Sequence, residues 1–393
     1  MQTTSKQEPK KLRILWNSNA PFATSGYSTQ MAQILPQITS EGYTQAIIDF
    51  YGLDGGKLMI DGVTHYPKIA DQWGGDALIA HGADFKTDVT ITLQDIWVLN
   101  PEHMKAAKRL IVWAPIDHEP IPPAILERVR LCYRVIAPSP FAHRELLRVG
   151  IQSTYIPWTV DTEVFKNLNN KAEFRKGMGI PTDFFVFGMV AANKDNPPRK
   201  SFQEAMDAFK MFHDKHPKSC MYFHTLVDQP GGFPIRQYAQ FLGINEFIYH
   251  PPAYAMLFNV KRPDLAKAYN TFDCYLAPSR NGGFEVPIVE AEACEIPVIT
   301  NDFTAMRDMV EEGVTGYKTK VAYKSFTPLL SYIGVPDVNS IYEKMELVYK
   351  VDREKMGKKG REFAVANFDT KSVFEKHWRP FLKLLEQEVY GNT

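Results

Sequence analysis

Short apolar runs and helically spaced stretches alternate along this chain, and the alternation occurs twice. Residues 12–17 form the first β-like run. The Ser/Asn/Gly-bearing loop 18–26 follows, and residues 28–39 then carry apolar side chains at helical spacing. Runs 46–50, 89–93, 110–114, 135–138 and 154–156 are rich in β-formers and separated by helical stretches. Runs apolar on both faces, alternating with helices, argue for parallel sheet covered on both sides. The pattern restarts at 184–191, continues with a long helix at 202–213, and then gives short runs at 221–226, 247–250, 274–277 and 298–300. The charged, Asn/Lys-rich segment 165–179 lies between the two series and is predicted as a linker. From 341 to 388 helical periodicity dominates and includes Phe374, Trp378, Phe381 and Leu382. No repeat of solenoid period and no low-complexity tract interrupts this order.

Two Rossmann-like, doubly wound α/β domains in series are therefore expected. The length of 393 residues agrees, because it exceeds what one hydrophobic core usually serves. Ligands in open α/β sheets bind at the strand carboxyl ends. The two glycine loops, Ser25-Gly26 and Gly282-Gly283, should then face each other across a cleft. Lys+Arg and Asp+Glu balance at 45 each, so bulk charge points to no nucleic-acid partner. The aromatic residues are assigned to large cores. Cys132, Cys220, Cys274 and Cys294 are far apart with no metal-ligand spacing, as expected of buried thiols in a reducing compartment. Residues 1–11 are polar and lack the apolar core of a signal peptide. The longest apolar run, 184–192, is about half of what a membrane span needs. A cytoplasmic location is expected, with Lys10, Lys11 and Arg13 in a solvated tail.

The chemistry concentrates in 278–291, which reads Pro-Ser-Arg-Asn-Gly-Gly-Phe-Glu-Val-Pro-Ile-Val-Glu-Ala. An apolar run ends at Pro278, a glycine loop follows, and Pro287 suits a first helical position. Unpaired N–H groups and the helix dipole at such a start favour an anion, so amides around 284–288 are expected to face phosphate. Glu290, an acid just inside that helix, fits instead as an acceptor for sugar hydroxyls. Together they suggest a nucleotide or nucleotide sugar. The local grammar also allows a plain β–loop–α connection. Arg199 and Lys200 lie in a second strand-end loop and begin a helix, where their charge opposes the dipole. A bound diphosphate would offset that, with Arg bidentate and Lys a point charge; a solvated surface pair is the alternative. Asp117, His118 and Glu119 follow the run 110–114. A His between two acids in a cleft loop can exchange protons near neutral pH, although a lone His is more often structural. Asp95, after the run 89–93, is placed to contact an acceptor hydroxyl. No phosphate-loop motif, no GxGxxG at Gly26, no DxD after a strand and no metal-spaced His/Asp cluster occurs. A site without metal or cofactor is expected.

These residues in this order resemble the retaining GT-B glycosyltransferases of glycosyltransferase family 4, also called glycosyl transferases group 1. The resemblance runs from 156–165 through Phe187–Asn193, Pro198–Lys200, 265–270, 273–279, Gly283–Ala291, 296–299 and 312–317 to the last helix. It implies an acceptor-side domain over 1–170 with a flexible tail at 1–11. A nucleotide-sugar donor domain over 171–370 follows, and a C-terminal helix over 371–393 crosses back to the first domain. It further implies transfer of a sugar from a UDP- or GDP-sugar to a hydroxyl acceptor (glycan, lipid-linked or other) with retained configuration. Arg199 and Lys200 would hold the diphosphate, with Gly26 against it from the first domain. Glu290 would hold the ribose, Gly283, Phe284, Val286 and Pro287 phosphate or sugar, and His118 would lie by the transferred sugar.

The chain departs from that family at two places. The usual first Glu of the Glu-x7-Glu pair is Gly282 here, and Glu285 stands where the family has Gly. Asn193 occupies the place of the first cation, and Arg199 adjoins Lys200. Glu285 is expected to replace the missing carboxylate and Arg199 the missing cation. The resemblance and these departures leave a GT-B epimerase or phosphorylase, or a sugar-nucleotide-binding protein without turnover, as alternatives. Oligomeric state is open.

Overall fold

The structure, a computed structural model, describes residues 10–258 and 260–391. Residues 1–9 of the expected tail and 392–393 of the last helix lie outside the described residues. The first half forms an eight-stranded sheet from β1 (Arg13–Asn19), β2 (Thr44–Tyr51), β3 (Leu58–Ile60), β4 (Val63–Pro67), β5 (Val89–Thr92), β6 (Leu110–Trp113), β7 (Arg134–Ala137) and β8 (Thr154–Tyr155). Their spatial order is β3-β4-β2-β1-β5-β6-β7-β8, parallel throughout except for the β3–β4 pair. The central strands are buried on both faces, and β1 carries Ile14, Leu15 and Trp16 with no exposure. Helix Gly26–Ser40 follows β1 and is capped by Ser25, whose side chain accepts from Ser28 N–H.

The second half repeats the plan with β9 (Phe185–Val190), β10 (Ser219–His224), β11 (Ile248–Tyr249), β12 (Cys274–Ala277), β13 (Val298–Asn301) and β14 (Gly316–Thr319). They form a parallel sheet in the order β11-β10-β9-β12-β13-β14. The expected linker 165–179 is not wholly extended, because residues Lys171–Gly177 close a short helix. Arg175 explains its fixed place. Its guanidinium donates to Asp273 at 2.6 Å and to Thr271 O at 2.9 Å, welding the segment to the second domain. A hairpin of β15 (Val321–Phe326) and β16 (Tyr332–Pro336) follows β14 and was not foreseen. Its residues alternate too irregularly, with a bulge after Val321, to read as two strands.

The chain crosses between the halves twice, and the crossings are bonded to each other. Val160 N–H donates to Phe368 O at 2.9 Å, and Thr370 N–H to Val160 O at 3.2 Å. Gln30 of the first domain clamps Thr159 from both sides, accepting from its N–H at 2.7 Å and donating to its carbonyl at 3.0 Å. Beyond the return crossing, a π turn at Phe374–Trp378 leads into helix Arg379–Tyr390. Pro380, which has no N–H to give, falls at that junction and interrupts the ladder.

This last helix lies on the first domain. Trp378 is fully buried against Trp113 and Trp16, with ring centroids 5.0 and 5.7 Å away. Arg379 pairs with Glu41 at 2.6 Å, and the Tyr390 hydroxyl donates to Asp88 at 2.6 Å. Lys10 and Lys11 do not behave as a solvated tail. Lys10 sits over the Tyr390 ring and Lys11 over Tyr43, with Glu386 3.4 Å from Lys11. Such exposed pairs contribute little each, so the buried indole carries the docking energy. Trp378→Ala is expected to cost roughly 3–5 kcal/mol in a urea unfolding experiment. Lys10→Ala should change the midpoint by little. A Trp378→Ala protein as stable as the parent would show that the helix is dispensable.

Candidate functional site

The carboxyl ends of the two parallel sheets meet at a cleft, because the two domains approach there as closely as glycine permits. A Cβ on Gly283 would lie 2.8 Å from Pro115 Cβ and 3.0 Å from its backbone, so this residue has no room for a side chain. Two residues earlier, Asn281 Nδ2 donates to Asp117 Oδ2 of the first domain at 2.7 Å. The other Asp117 oxygen is 2.6 Å from His118 Nδ1. Burial disfavours the Asp117 carboxylate, but the His118 contact and the Arg199 charge outweigh it and hold its pKa below the ordinary value. Asp95 comes to the same place from the end of β5. The protein crowded around it and the Asp117 charge push its pKa up to about 6, although its outer edge is open to solvent. Tyr27, at the start of the first helix, faces both acids. Burial and then their charges keep its hydroxyl well above the ordinary value, and so a proton donor.

The cations come from the second domain. Lys200 Nζ is bonded to both oxygens of Glu285, at 2.5 and 2.6 Å, and Arg199 lies 3.7 Å from the same carboxylate. Arg199 also donates to Asn281 O at 3.0 Å. Burial and then the neighbouring Arg199 push the Lys200 pKa down to about 8, with Glu285 opposing them. Arg199, Lys200, Glu285, Asp117 and His118, named from the sequence, thus share one site. Gly26 opens the helix on the facing wall, with open space where a side chain would stand.

Other sequence-named residues are placed differently. Asn193 turns away from the cleft. Its amide donates to Phe233 O and accepts from Phe233 N–H at 2.9 and 2.8 Å, so the side chain braces the loop 226–233. Phe284 is buried between Trp158 and Phe368, at 5.6 and 5.5 Å, and ties the glycine loop to both chain crossings. Among the amides expected to face phosphate, Glu285 N–H reaches Met309 Sδ and Ile288 N–H reaches Glu285 O. Pro287 has no N–H. The amides of Phe284 and Val286 are the ones suited to an anion, and Pro287 shapes the helix start.

Glu290 is almost fully buried and already partnered. It accepts from the Tyr269 hydroxyl at 2.8 Å, and Arg262 lies 3.6 Å from its other oxygen. Burial raises its pKa, which Arg262 and Tyr269 oppose in part. Arg262 also reaches Thr29 Oγ1 across the cleft at 3.3 Å. Sequence reading missed Arg262, Tyr269, Tyr27 and Asn281. An Arg at the start of a helix carries no local signal, and only the packing of helix Arg262–Tyr269 on Val286–Ala293 brings it to Glu290. Among the described residues, no group of three or more His, Cys, Asp or Glu is placed to hold a metal ion, and no helix is long and apolar enough to cross a membrane. A cavity of about 430 Å³ lined by Asn167, Lys171, Asp273, Glu295 and Arg353 lies instead at the amino ends of β12 and β13. There Lys171 pairs with Asp273 and Asn167 with Glu295, while Arg353 donates to Val348 O and Tyr349 O.

Residues 245–327 match the family model described as Glycosyl transferases group 1. A capsular polysaccharide biosynthesis glycosyltransferase, CapM of Staphylococcus aureus, is 24% identical over 219 residues, 55% of this chain and 50% of that protein. The chain thus matches about half the length of that relative. Among solved structures, sucrose-phosphate synthase of Thermosynechococcus elongatus superposes with a TM-score of 0.75 at 15% identity, over 95% of this chain and 99% of that one. Anabaena HepE, solved in complex with UDP and glucose, gives a TM-score of 0.69 at 15% identity, over 95% and 100%. A glycosyltransferase from Rickettsia africae gives 0.71 at 14% identity, over 98% and 100%. The chain has the GT-B fold.

An anion bound at Arg199 and Lys200 gains most when Lys200 is protonated. With UDP as the probe in calorimetry, affinity should fall as pH rises from 7 to 9, because Lys200 loses its proton near 8. Lys200→Met should bind roughly 10-fold more weakly at pH 7 and show no such slope. A parent affinity that stays constant from pH 7 to 9 counts against this role.

Proposed function

We propose that this chain transfers a sugar from a UDP- or GDP-sugar to a hydroxyl acceptor, with retained anomeric configuration and without a metal. The observation that carries the reading is the meeting of Arg199, Lys200 and Glu285 from one domain with Asp117 and His118 from the other, bridged by the 2.7 Å Asn281–Asp117 bond. A strand-end cleft with paired cations on one wall and a His–acid pair on the other suits cleavage of a bond to a diphosphate. The group 1 match at 245–327 covers part of the donor side, and HepE, solved with UDP and glucose, favours UDP as the first donor to try.

In this mechanism the anomeric bond loosens as charge builds on the leaving diphosphate, and Arg199 and Lys200 neutralise it there. The Glu290, Tyr269 and Arg262 cluster holds the ribose. The acceptor hydroxyl attacks from the face the diphosphate leaves, and the leaving phosphate takes its proton. His118, oriented by Asp117, supports the transferred sugar; Asp95 and the Tyr27 hydroxyl meet the acceptor. Closure of the cleft excludes water and so limits hydrolysis.

Glu285 replaces the carboxylate missing at 282, and its closeness to that position supports this. A Cβ on Gly282 would stand 2.6 Å from Glu285 Oε1 and 2.9 Å from its Cγ. The Glu285 side chain fills the space that a side chain at 282 would enter, so the two positions are alternatives for one carboxylate. In the unliganded protein it neutralises Lys200, and a bound donor takes over that cation while the carboxylate turns to the sugar.

Incubation with UDP- and GDP-sugars and a panel of hydroxyl acceptors should release nucleoside diphosphate and give a product of retained configuration, unaffected by EDTA. An altered sugar without nucleoside diphosphate would instead mean epimerisation. Glu285→Gln should lower kcat by about 100-fold. The double variant Gly282→Glu/Glu285→Gly should recover part of that loss, whereas Gly282→Glu alone must displace the Glu285 side chain from Lys200 and should lower kcat. Full turnover by Glu285→Gln would end the replacement idea.

A further inference from the structure

The hairpin β15–β16 pairs with neither parallel sheet. A two-stranded hairpin is marginal in water by itself, and this one is held from both sides of the cleft. Gly334 N–H donates to Arg280 O at 2.8 Å, and Asn301 Nδ2 donates to Gly334 O at 2.9 Å. Strand β16 therefore rests on the loop that carries Asn281 and Glu285. On its other side Glu119 N–H donates to Tyr332 O at 3.2 Å, and Ser331 Oγ donates to Pro120 O. Those partners are the residues directly after His118. Gly334 makes the close seat possible, since a Cβ there would meet the Phe303 ring at 2.8 Å.

The outer surface is aromatic. Phe326 and Tyr332 pair across the strands with ring centroids 5.3 Å apart, edge to face, and remain 59% and 40% exposed. Tyr323 and Leu330 are also exposed on the hairpin, Tyr323 on the opposite face from this pair. The polar groups at the rim are fixed. Lys324 and Arg307 lie 3.3 and 3.5 Å from the same Glu119 oxygen. A sugar ring offers an apolar C–H face and a rim of hydroxyls, and half-exposed aromatic rings beside fixed hydrogen-bonding groups complement both. A lipid surface asks instead for protruding apolar side chains next to cations free to meet headgroups. Here Lys324 and Arg307 are already matched by Glu119.

We propose that the hairpin is an acceptor platform, on which Phe326 and Tyr332 stack against saccharide units lying beyond the one that receives the new linkage. The inference rests on the glycosyltransferase reading above, and commits the acceptor to a saccharide of more than one unit. Its geometry follows from the seat of β16: a chain whose end reaches His118 and runs outward over Glu119 and Pro120 meets this aromatic pair next.

The test uses the full chain, a panel of α- and β-linked gluco-, manno- and galacto-oligosaccharides of increasing length, and UDP as a separate probe. Native mass spectrometry should detect an oligosaccharide bound to the parent. Phe326→Ala/Tyr332→Ala should weaken that binding about tenfold for the longer members and leave the monosaccharide unaffected. Phe326→Tyr should retain it. UDP binding should be equal in all of these proteins, which also shows that they fold. Saccharide binding unchanged in the double variant, or a parent that binds no member of the panel, overturns the platform. If phosphatidylglycerol vesicles bind the parent and not the double variant while no saccharide binds, the surface is a membrane contact and the proposal fails. Loss of UDP binding or turnover in the parent would instead refute the glycosyltransferase reading itself.

Discussion

Two chain crossings, bonded side by side at Val160 and Phe368–Thr370, hold the halves of this protein in register. One continuous apolar cluster runs from the first sheet through the crossings into the second. Neither could face the other's strand carboxyl ends without a fixed junction. The junction is aromatic as well as hydrogen-bonded. Phe284 of the glycine loop lies between Trp158 on the outward crossing and Phe368 on the return. The residue next to Glu285 is thus part of the contact between the domains. The chain crossings and the site are therefore packed as one unit.

Most ionisable groups of the cleft have a partner within the protein. Lys200 is matched by Glu285, Asp117 by His118, and Glu290 by Tyr269 and Arg262. Leaving any of these charges buried and unpaired costs several kcal/mol. An anionic ligand therefore exchanges partners rather than filling a vacant field. The Gly282 and Glu285 pair shows how tightly this balance is packed, because one carboxylate fills the room available to two positions.

Much of this was legible from residue pattern. Runs 12–17, 89–93, 110–114 and 274–277 lie on β1, β5, β6 and β12 almost residue for residue, because strands buried on both faces are continuous in apolar side chains. The hairpin β15–β16 was not legible, since β15 is mostly exposed and β16, with Ser331 before it, is held through bonds to the backbone of Arg280, Glu119 and Pro120. The helix at Lys171–Gly177 was read as linker for a similar reason. Its place depends on Arg175 reaching Asp273, nearly a hundred residues away.

By itself the sequence determined two repeats of parallel α/β architecture and the loops that reach the cleft, since both follow from local hydrophobic period and turn chemistry. It also placed Glu285 three residues after Gly282 in one of those loops. Only the tertiary structure decided which groups meet. It turned Asn193 away to brace a loop, brought Arg262 to Glu290, set Asn281 on Asp117, and seated an aromatic hairpin beside His118. The reason is range. Periodicity and capping act within a few residues, whereas hydrogen bonds and ion pairs join whatever the packed sheets bring within about 3–4 Å.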